Sequence, residues 1–191
     1  MMITPIQEPA ALSRILERTA ALGFKMASEP LTGALLKTLA ASKPCGRLLE
    51  LGTGTGISAA WLLDGMDSAS TLVTIDVDSA AQQIAREILG DDKRLEIRTQ
   101  DALAYLKSNS APRFDLVFAD AMPGKYEGLE HALAVVRPGG FFVIDDLLPQ
   151  ANWPDGHAAK VPVLIETLAA NPAFHMVPLA WASGIVVAVK S

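Results

Sequence analysis

Cysteine is nearly missing from this chain: Cys45 is the only one in 191 residues. No intramolecular disulfide is possible, and the paired-cysteine spacings of structural zinc sites cannot occur. A reducing cytoplasm is the expected compartment. Charge is also sparse, at 19% of residues, with a net charge of −5. No run of Lys and Arg forms the basic stripe that phosphate neutralisation needs, so nucleic acid is not an expected partner. No window approaches ~20 uninterrupted apolar residues, so no membrane partner is expected either. The start, "MMITPIQEPAAL", lacks the basic head and apolar core of a signal peptide. G-x-S-x-G and H-E-x-x-H are both absent, which removes the serine-hydrolase and zincin readings. What remains is apolar: half the residues are hydrophobic. That suffices for one sizeable core and little more, and suggests surface hidden in a homodimer.

The chain has no internal repeat and no low-complexity linker, so a single domain over residues 1–191 is expected. Residues 1–42 read as a helical segment: apolar positions recur at helical spacing over 8–22, and "EPLTGALLKTLAAS" over 29–42 places Pro30 in a first turn. From residue 46 strands and helices alternate. Strands are expected at 47–51, 71–76, 94–99, 114–120 and 139–146. Helices are expected at about 57–66, 79–89, 102–107 and 128–136. A helix near 158–170 then precedes two strands, 174–180 and 183–190, close enough for a hairpin. The fold class is therefore α/β: a Rossmann-like, seven-stranded sheet, mostly parallel, with one antiparallel strand at the C-terminal edge.

Ligands of open α/β sheets bind at the carboxyl ends of the strands. Those ends carry Glu50, Asp76, Asp101, Asp120, Asp145 and Asp146, six carboxylates around one crevice. The first strand runs into "LLELGTGTGIS", with glycines at 52, 54 and 56. The dinucleotide fingerprint needs its third glycine three residues after the second; that position is Ile57. A pyrophosphate would also meet repulsion of about 4 kcal/mol per like charge ~4 Å away. A cationic ligand reverses the sign. S-adenosylmethionine carries a sulfonium, an ammonium and a ribose suited to Asp76, and glycines let backbone approach it closely. The bland alternative is a plain strand-to-helix turn of some other α/β protein.

These segments resemble the class I S-adenosylmethionine-dependent methyltransferases, and more narrowly the catechol/caffeoyl-CoA-type O-methyltransferases. "LLELGTGTGIS" is similar to that family's first motif and "VTIDVD" to its ribose-binding motif. "FDLVFADAMPGKY", "VRPGGFFVIDDLL" and "GIVVAVK" resemble its later strands. The resemblance implies that Glu50, Gly52 and Gly56 shape the methionine end of the cofactor pocket and that Ser58 bonds the cofactor carboxylate. Asp76 would hold the ribose, and Thr99, Gln100 and Asp101 would border the adenine. Thr53, Gly54, Val77, Ala102 and Asp120 complete the implied cofactor contacts. Asp120, Asp145 and Asp146 fall where the family holds a divalent cation such as Mg²⁺. Two departures stand out: Asp146 replaces the family's usual Asn, and Pro123 replaces its catalytic lysine, with Lys125 two residues further on.

Methyl transfer needs an oriented acceptor and a place for its proton. Asp120, Lys125 and His157 are the catalytic candidates. A lone loop lysine is more commonly a solvated charge, and a lone loop histidine more commonly incidental. Trp153 reads equally as a stacking surface or as core cover, Tyr126 as a packing residue, and His131 and His175 as structural. The expected activity is methyl transfer from S-adenosylmethionine to a small-molecule oxygen. Three other readings stay open at this level: a metal-independent N- or C-methyltransferase, a nicotinamide-dependent enzyme, and a non-catalytic cofactor-binding protein.

Overall fold

The computed structural model describes residues 6–111, 113–151 and 153–191. The first five residues of the expected N-terminal segment, and Asn152 in the loop after the fifth strand, lie outside them. Two helices come first, α1 (Leu12–Leu22) and α2 (Pro30–Ala41). Pro30 opens α2 behind Glu29, where its missing N–H costs nothing. Then follow β1 (Arg47–Leu51), α3 (Ile57–Gly65), β2 (Thr71–Asp76), α4 (Ser79–Leu89), β3 (Leu95–Thr99), α5 (Ala102–Ser108) and β4 (Phe114–Ala119). A single turn, α6 (Met122–Lys125), leads to α7 (Leu129–Ala134) and β5 (Val136–Ile144). The chain finishes with α8 (His157–Ala169), β6 (Phe174–Leu179) and β7 (Ile185–Lys190).

The strands form one sheet in the order β3-β2-β1-β4-β5-β7-β6. Pairing is parallel from β3 through to β5. Only β7 runs against its neighbours β5 and β6; the sheet is mixed as expected from the sequence, but the antiparallel strand lies one place inside the edge, which β6 occupies. The chain moves outward from β1 to β3, then returns to the other side of β1 to lay down β4. That reversal opens a crevice at the carboxyl ends of β1 and β4.

Strand residues alternate between two cores. Leu49, Leu51, Val117, Ala119 and Ile144 face α5, α7 and α8. Leu48, Leu116, Phe118 and Val143 face α1 to α4, around the fully buried Trp61. This parity places Glu50 and its register partner Thr74 on the α3 side, beneath the glycine loop.

Two elements differ from the sequence reading. β5 begins at Val136, ahead of "RPGG", because the strand absorbs those residues in an irregularity opposite Phe114 and Leu116. The turn α6 was not expected. It arises because Pro123 is extended (ψ 134°) and Gly124 takes φ +87°, so the chain folds back directly after β4.

The α2–α3 contact is close. A Cβ built on Gly33 would lie 2.4 Å from the Trp61 ring. Gly33→Ala is therefore expected to lower stability by about 1–3 kcal/mol through overpacking, read as a lower urea midpoint at an unchanged slope.

Candidate active site

The glycine loop is shaped first by its neighbours. Gly52 has φ +106°, and a Cβ there would sit 3.1 Å from the backbone carbonyl of Asp120. Gly56, at φ +92°, faces Ala85 of α4, with 2.7 Å available to a Cβ. Both backbones occupy the region that only glycine enters cheaply. The loop is tied to β2 by Asp76, whose carboxylate accepts from Gly54 N at 2.8 Å and Asp78 N at 2.9 Å. These bonds leave lone pairs on both oxygens toward the crevice.

Under the loop runs a buried polar chain. Thr74 Oγ1 donates to Glu50 Oε2, the Thr74 and Thr53 hydroxyls are 2.7 Å apart, and Gln82 Nε2 donates to Thr53 Oγ1 at 2.9 Å. Thr99 Oγ1 donates to Gln82 Oε1 at 2.6 Å and accepts from Arg86 at 2.7 Å. Glu50 is fully buried, and its Oε1 has no hydrogen-bond partner among the described residues. Burial pushes its carboxyl up to about 7, while the nearby Ser58 and Thr74 hydroxyls pull the other way. An orphaned acid oxygen beside a glycine loop suits a cationic group.

Across the crevice stand the three aspartates of β4 and β5. Burial, and then the neighbouring Asp145 charge, push Asp120 up to about 8. Burial likewise raises Asp145, offset by the Ser183 hydroxyl and by the Asp146 N–H. Lys125 is not the solvated charge that a lone loop lysine usually is. It is 3% exposed, its Nζ donates to the Asp145 carbonyl at 2.8 Å, and it stands 4.0 Å from Asp120 Oδ1. The fold-back at Pro123 and Gly124 carries it there.

The residues present do not fit the expected divalent cation. Among the described residues no three His, Cys, Asp or Glu groups gather around one point. Asp145 Oδ1 accepts from Ser183 Oγ and from Asp146 N, the latter at 2.7 Å. Asp146 Oδ1 accepts from Trp153 Nε1 at 2.6 Å, and Asp120 Oδ2 from Ser28 Oγ at 3.3 Å. Each carboxylate is held through one oxygen by a different donor, and an ammonium stands 4.0 Å from Asp120.

His157 also departs from its bland reading. It begins α8, buried, with Nε2 3.1 Å from the Tyr126 hydroxyl and 3.7 Å from Asp146 Oδ2. Trp153 stacks on its ring at 4.4 Å between centroids. Burial lowers its pKa, only partly countered by the Asp146 charge, so the ring is neutral near pH 7. Tyr126 is pushed up to about 12 by burial and by Asp146, so it keeps its proton. Tyr126 is thus more than a packing residue, and Trp153 serves as a ring that both stacks and donates.

These groups line a cavity of about 420 Å³. Of the residues expected from the sequence, it brings together Gly52, Thr53, Gly54, Ser58, Asp76, Asp120, Lys125, Asp145, Asp146 and His157. Glu50 and Gly56 lie beneath it. Val77, Thr99, Gln100, Asp101 and Ala102 lie beyond Asp76 toward β3, outside the lining; Asp101 there caps α5 through Ala104 N at 2.7 Å. His131 pairs with Glu130 on α7, His175 is exposed on β6, and Cys45 is exposed. The sequence reading missed residues 24–29, the connection from α1 to α2, which closes one wall and sends Ser28 to Asp120. "FKMASE" carries no motif that marks it.

Glu50 generates a pH prediction. An acid whose pKa is raised on folding adds stability below its unfolded value, 4.5. That contribution is lost as pH climbs to about 7. Relative to Glu50→Gln, the natural chain is expected to lose about 3 kcal/mol between pH 4.5 and pH 8. Urea unfolding of both proteins at the two pH values checks it; parallel behaviour would show that the carboxyl titrates normally.

Comparison with known proteins agrees with this geometry. Residues 49–147 match the family described as "Methyltransferase domain". A Mycolicibacterium vanbaalenii protein named "Putative O-methyltransferase" is 35% identical over 147 residues, 73% of this chain and 63% of its own length. The chain thus spans a little under two thirds of that relative. The O-methyltransferase TomG of Streptomyces achromogenes, solved in complex with SAM, superimposes with a TM-score of 0.84 at 26% identity, covering 98% of this chain and 92% of its own. An O-methyltransferase from Bacillus cereus, solved with SAH, gives 0.84 at 26% identity, covering 98% and 94%. Domain match, sheet order and glycine loop agree: the chain belongs to the methyltransferase family.

Proposed function

We propose that this protein is an S-adenosylmethionine-dependent O-methyltransferase acting on a hydroxyl, of phenolic type, in a small-molecule acceptor. The observation that carries the reading is a cavity at the strand switch point that sets Gly52, Gly54, Ser58 and Asp76 opposite Asp120, Lys125 and His157. Cofactor and acceptor would meet in one enclosure. The names and bound ligands of the Streptomyces and Bacillus proteins support the same cofactor. We further propose a single domain working as a cytoplasmic homodimer, a reading supported by the lone cysteine and by exposed apolar side chains such as Met26 and Val163.

The cofactor supplies a methyl group already activated by its sulfonium. The rest falls to the chain. Asp76 would accept from the ribose hydroxyls with the lone pairs its two backbone bonds leave free. Ser58 and the loop N–H groups would take the cofactor carboxylate, and the acids across the crevice would favour its cationic centre. Holding both partners in line contributes up to roughly 7–11 kcal/mol.

A phenol with pKa near ~10 costs about 4 kcal/mol to ionise at pH 7. His157 is the base this cavity offers. Its neutral ring, with the proton on Nδ1, presents the Nε2 lone pair that the Tyr126 hydroxyl now occupies. An acceptor hydroxyl that displaces Tyr126 hands its proton to that nitrogen. Trp153 and Asp146 keep the ring in place.

Calorimetry should show S-adenosylhomocysteine binding with NAD⁺ inert; the opposite result would sink the reading. Asp76→Ala should weaken that binding by more than about tenfold, because charge-assisted hydrogen bonds are lost. With a phenolic acceptor, His157→Ala should lower kcat by about 100-fold or more while cofactor affinity holds. Unchanged turnover would remove His157 as the base.

A further inference from the structure

We propose that the Lys125 ammonium takes the electrostatic place of a divalent cation among Asp120, Asp145 and Asp146, so that the reaction proceeds without one. The inference rests on the transferase reading above, but its central measurement does not need turnover.

Three observations carry it. The ammonium is fixed: Nζ is held by the Asp145 carbonyl at 2.8 Å in a side chain 3% exposed. It lies within the acidic cluster, 4.0 Å from Asp120 Oδ1, on the cavity wall. The carboxylates themselves are engaged elsewhere, Asp145 by Ser183, Asp146 by Trp153 and Asp120 by Ser28. A hard dication needs several oxygens converging at bonding distance. Here a cation would have to displace the ammonium beside Asp120 Oδ1 and draw together carboxylates that are each held through one oxygen by a different donor.

Local sequence makes the substitution possible. A lysine at 123 would leave β4 directly; proline there instead extends the chain. Gly124 at φ +87° then reverses it, and a Cβ at 124 would meet a Leu51 methyl at 2.4 Å. Lys125 thereby returns to the carboxyl end of β5. One chain-borne charge is smaller than that of a dication, but it is tethered to the chain and needs no ligand exchange. Lys125 balances and positions the acids; it takes no part in the proton transfer.

The test is titration of MgCl2 and MnCl2 into the protein with S-adenosylhomocysteine bound, for the natural chain and for Lys125→Ala and Lys125→Met. The natural chain should show no saturable uptake of either ion and no change in Tm, and methyl transfer should be the same in EDTA as in MgCl2. The variants, checked for fold by circular dichroism, should gain saturable Mn²⁺ binding, because the acids lose their resident cation. Saturable Mg²⁺ binding by the natural chain would overturn the proposal. So would a loss of more than about 100-fold in EDTA, the scale expected on removing a Lewis acid. Folded variants that remain indifferent to both ions would show that Lys125 is not holding a cation's place. If neither variant folds, the titration and EDTA assay of the natural chain still decide the central claim. Failure of S-adenosylhomocysteine to bind at all would count against the transferase reading alone.

Discussion

Burial of negative charge at the mouth of the sheet is the constraint around which this molecule is arranged. Glu50 and Asp145 are buried carboxyl groups, and Asp120 stands beside them on the cavity wall, 19% exposed. An isolated buried carboxylate is costly enough that the group binds a proton, recruits donors or acquires a partner. All three responses are present. Protonation answers for Glu50 and Asp120, whose carboxyls are pushed into the neutral range. Donors answer for Asp145, through Ser183 and the N–H of Asp146. Pairing answers through Lys125, which is held by the Asp145 backbone carbonyl and stands 4.0 Å from Asp120 Oδ1. A ligand with a positive centre relieves the same cost, so the features that weaken the empty fold strengthen binding. The site holds its polarity at the expense of stability, as functional sites commonly do.

The glycine loop serves this arrangement in two ways, and only one concerns a ligand. Gly52 lets β1 pass against the backbone of Asp120, and Gly56 lets α3 settle on Ala85. The close approach therefore begins inside the protein, between strand, loop and α4. Once that packing is set, Gly54 N is directed at Asp76 and the hydroxyls of Thr53 and Thr74 close over Glu50. Loop geometry and acid placement form one construction, because Asp76 holds the loop with the same carboxylate that faces the cavity.

Much of the fold was legible because local pattern and tertiary role agree. β1, β2 and α4 have the expected bounds: apolar alternation ends at Glu50 and Asp76, and Asp78 caps α4 through Ala80 N and Ala81 N. β5 was misplaced at its start because "RPGG" reads as a break, yet the strand carries it as an irregularity against β4. That Gly52, Thr53, Gly54 and Ser58 share one wall of the cavity was legible for a related reason. Its residues follow one another along a strand and a loop, so spacing encodes geometry. The opposite half was not. Tyr126 and His157 are 31 positions apart and Lys125 and Asp145 are 20 apart. Their meeting depends on a turn at Pro123–Gly124 and on where α8 begins, and no periodicity reports either.

The two departures from the family pattern now have a common explanation. Asp146 sits in the left-handed region at φ +65°, where a non-glycine residue costs about 1–3 kcal/mol. Asparagine is well suited to that conformation, so aspartate there is not chosen for the backbone alone. Its neighbours are what favour it: one oxygen accepts from the Trp153 indole N–H, the other lies 3.7 Å from His157 Nε2, and the carboxylate charge, which an amide lacks, raises the basicity of that ring. The carboxylate at 146 thus belongs with the histidine at 157, much as the lysine at 125 belongs with the proline at 123. Each pair replaces a feature expected from the family with another that solves the same problem of charge in a dry crevice. One holds a neutral imidazole at the cavity wall, and the other brings a cation from the chain itself.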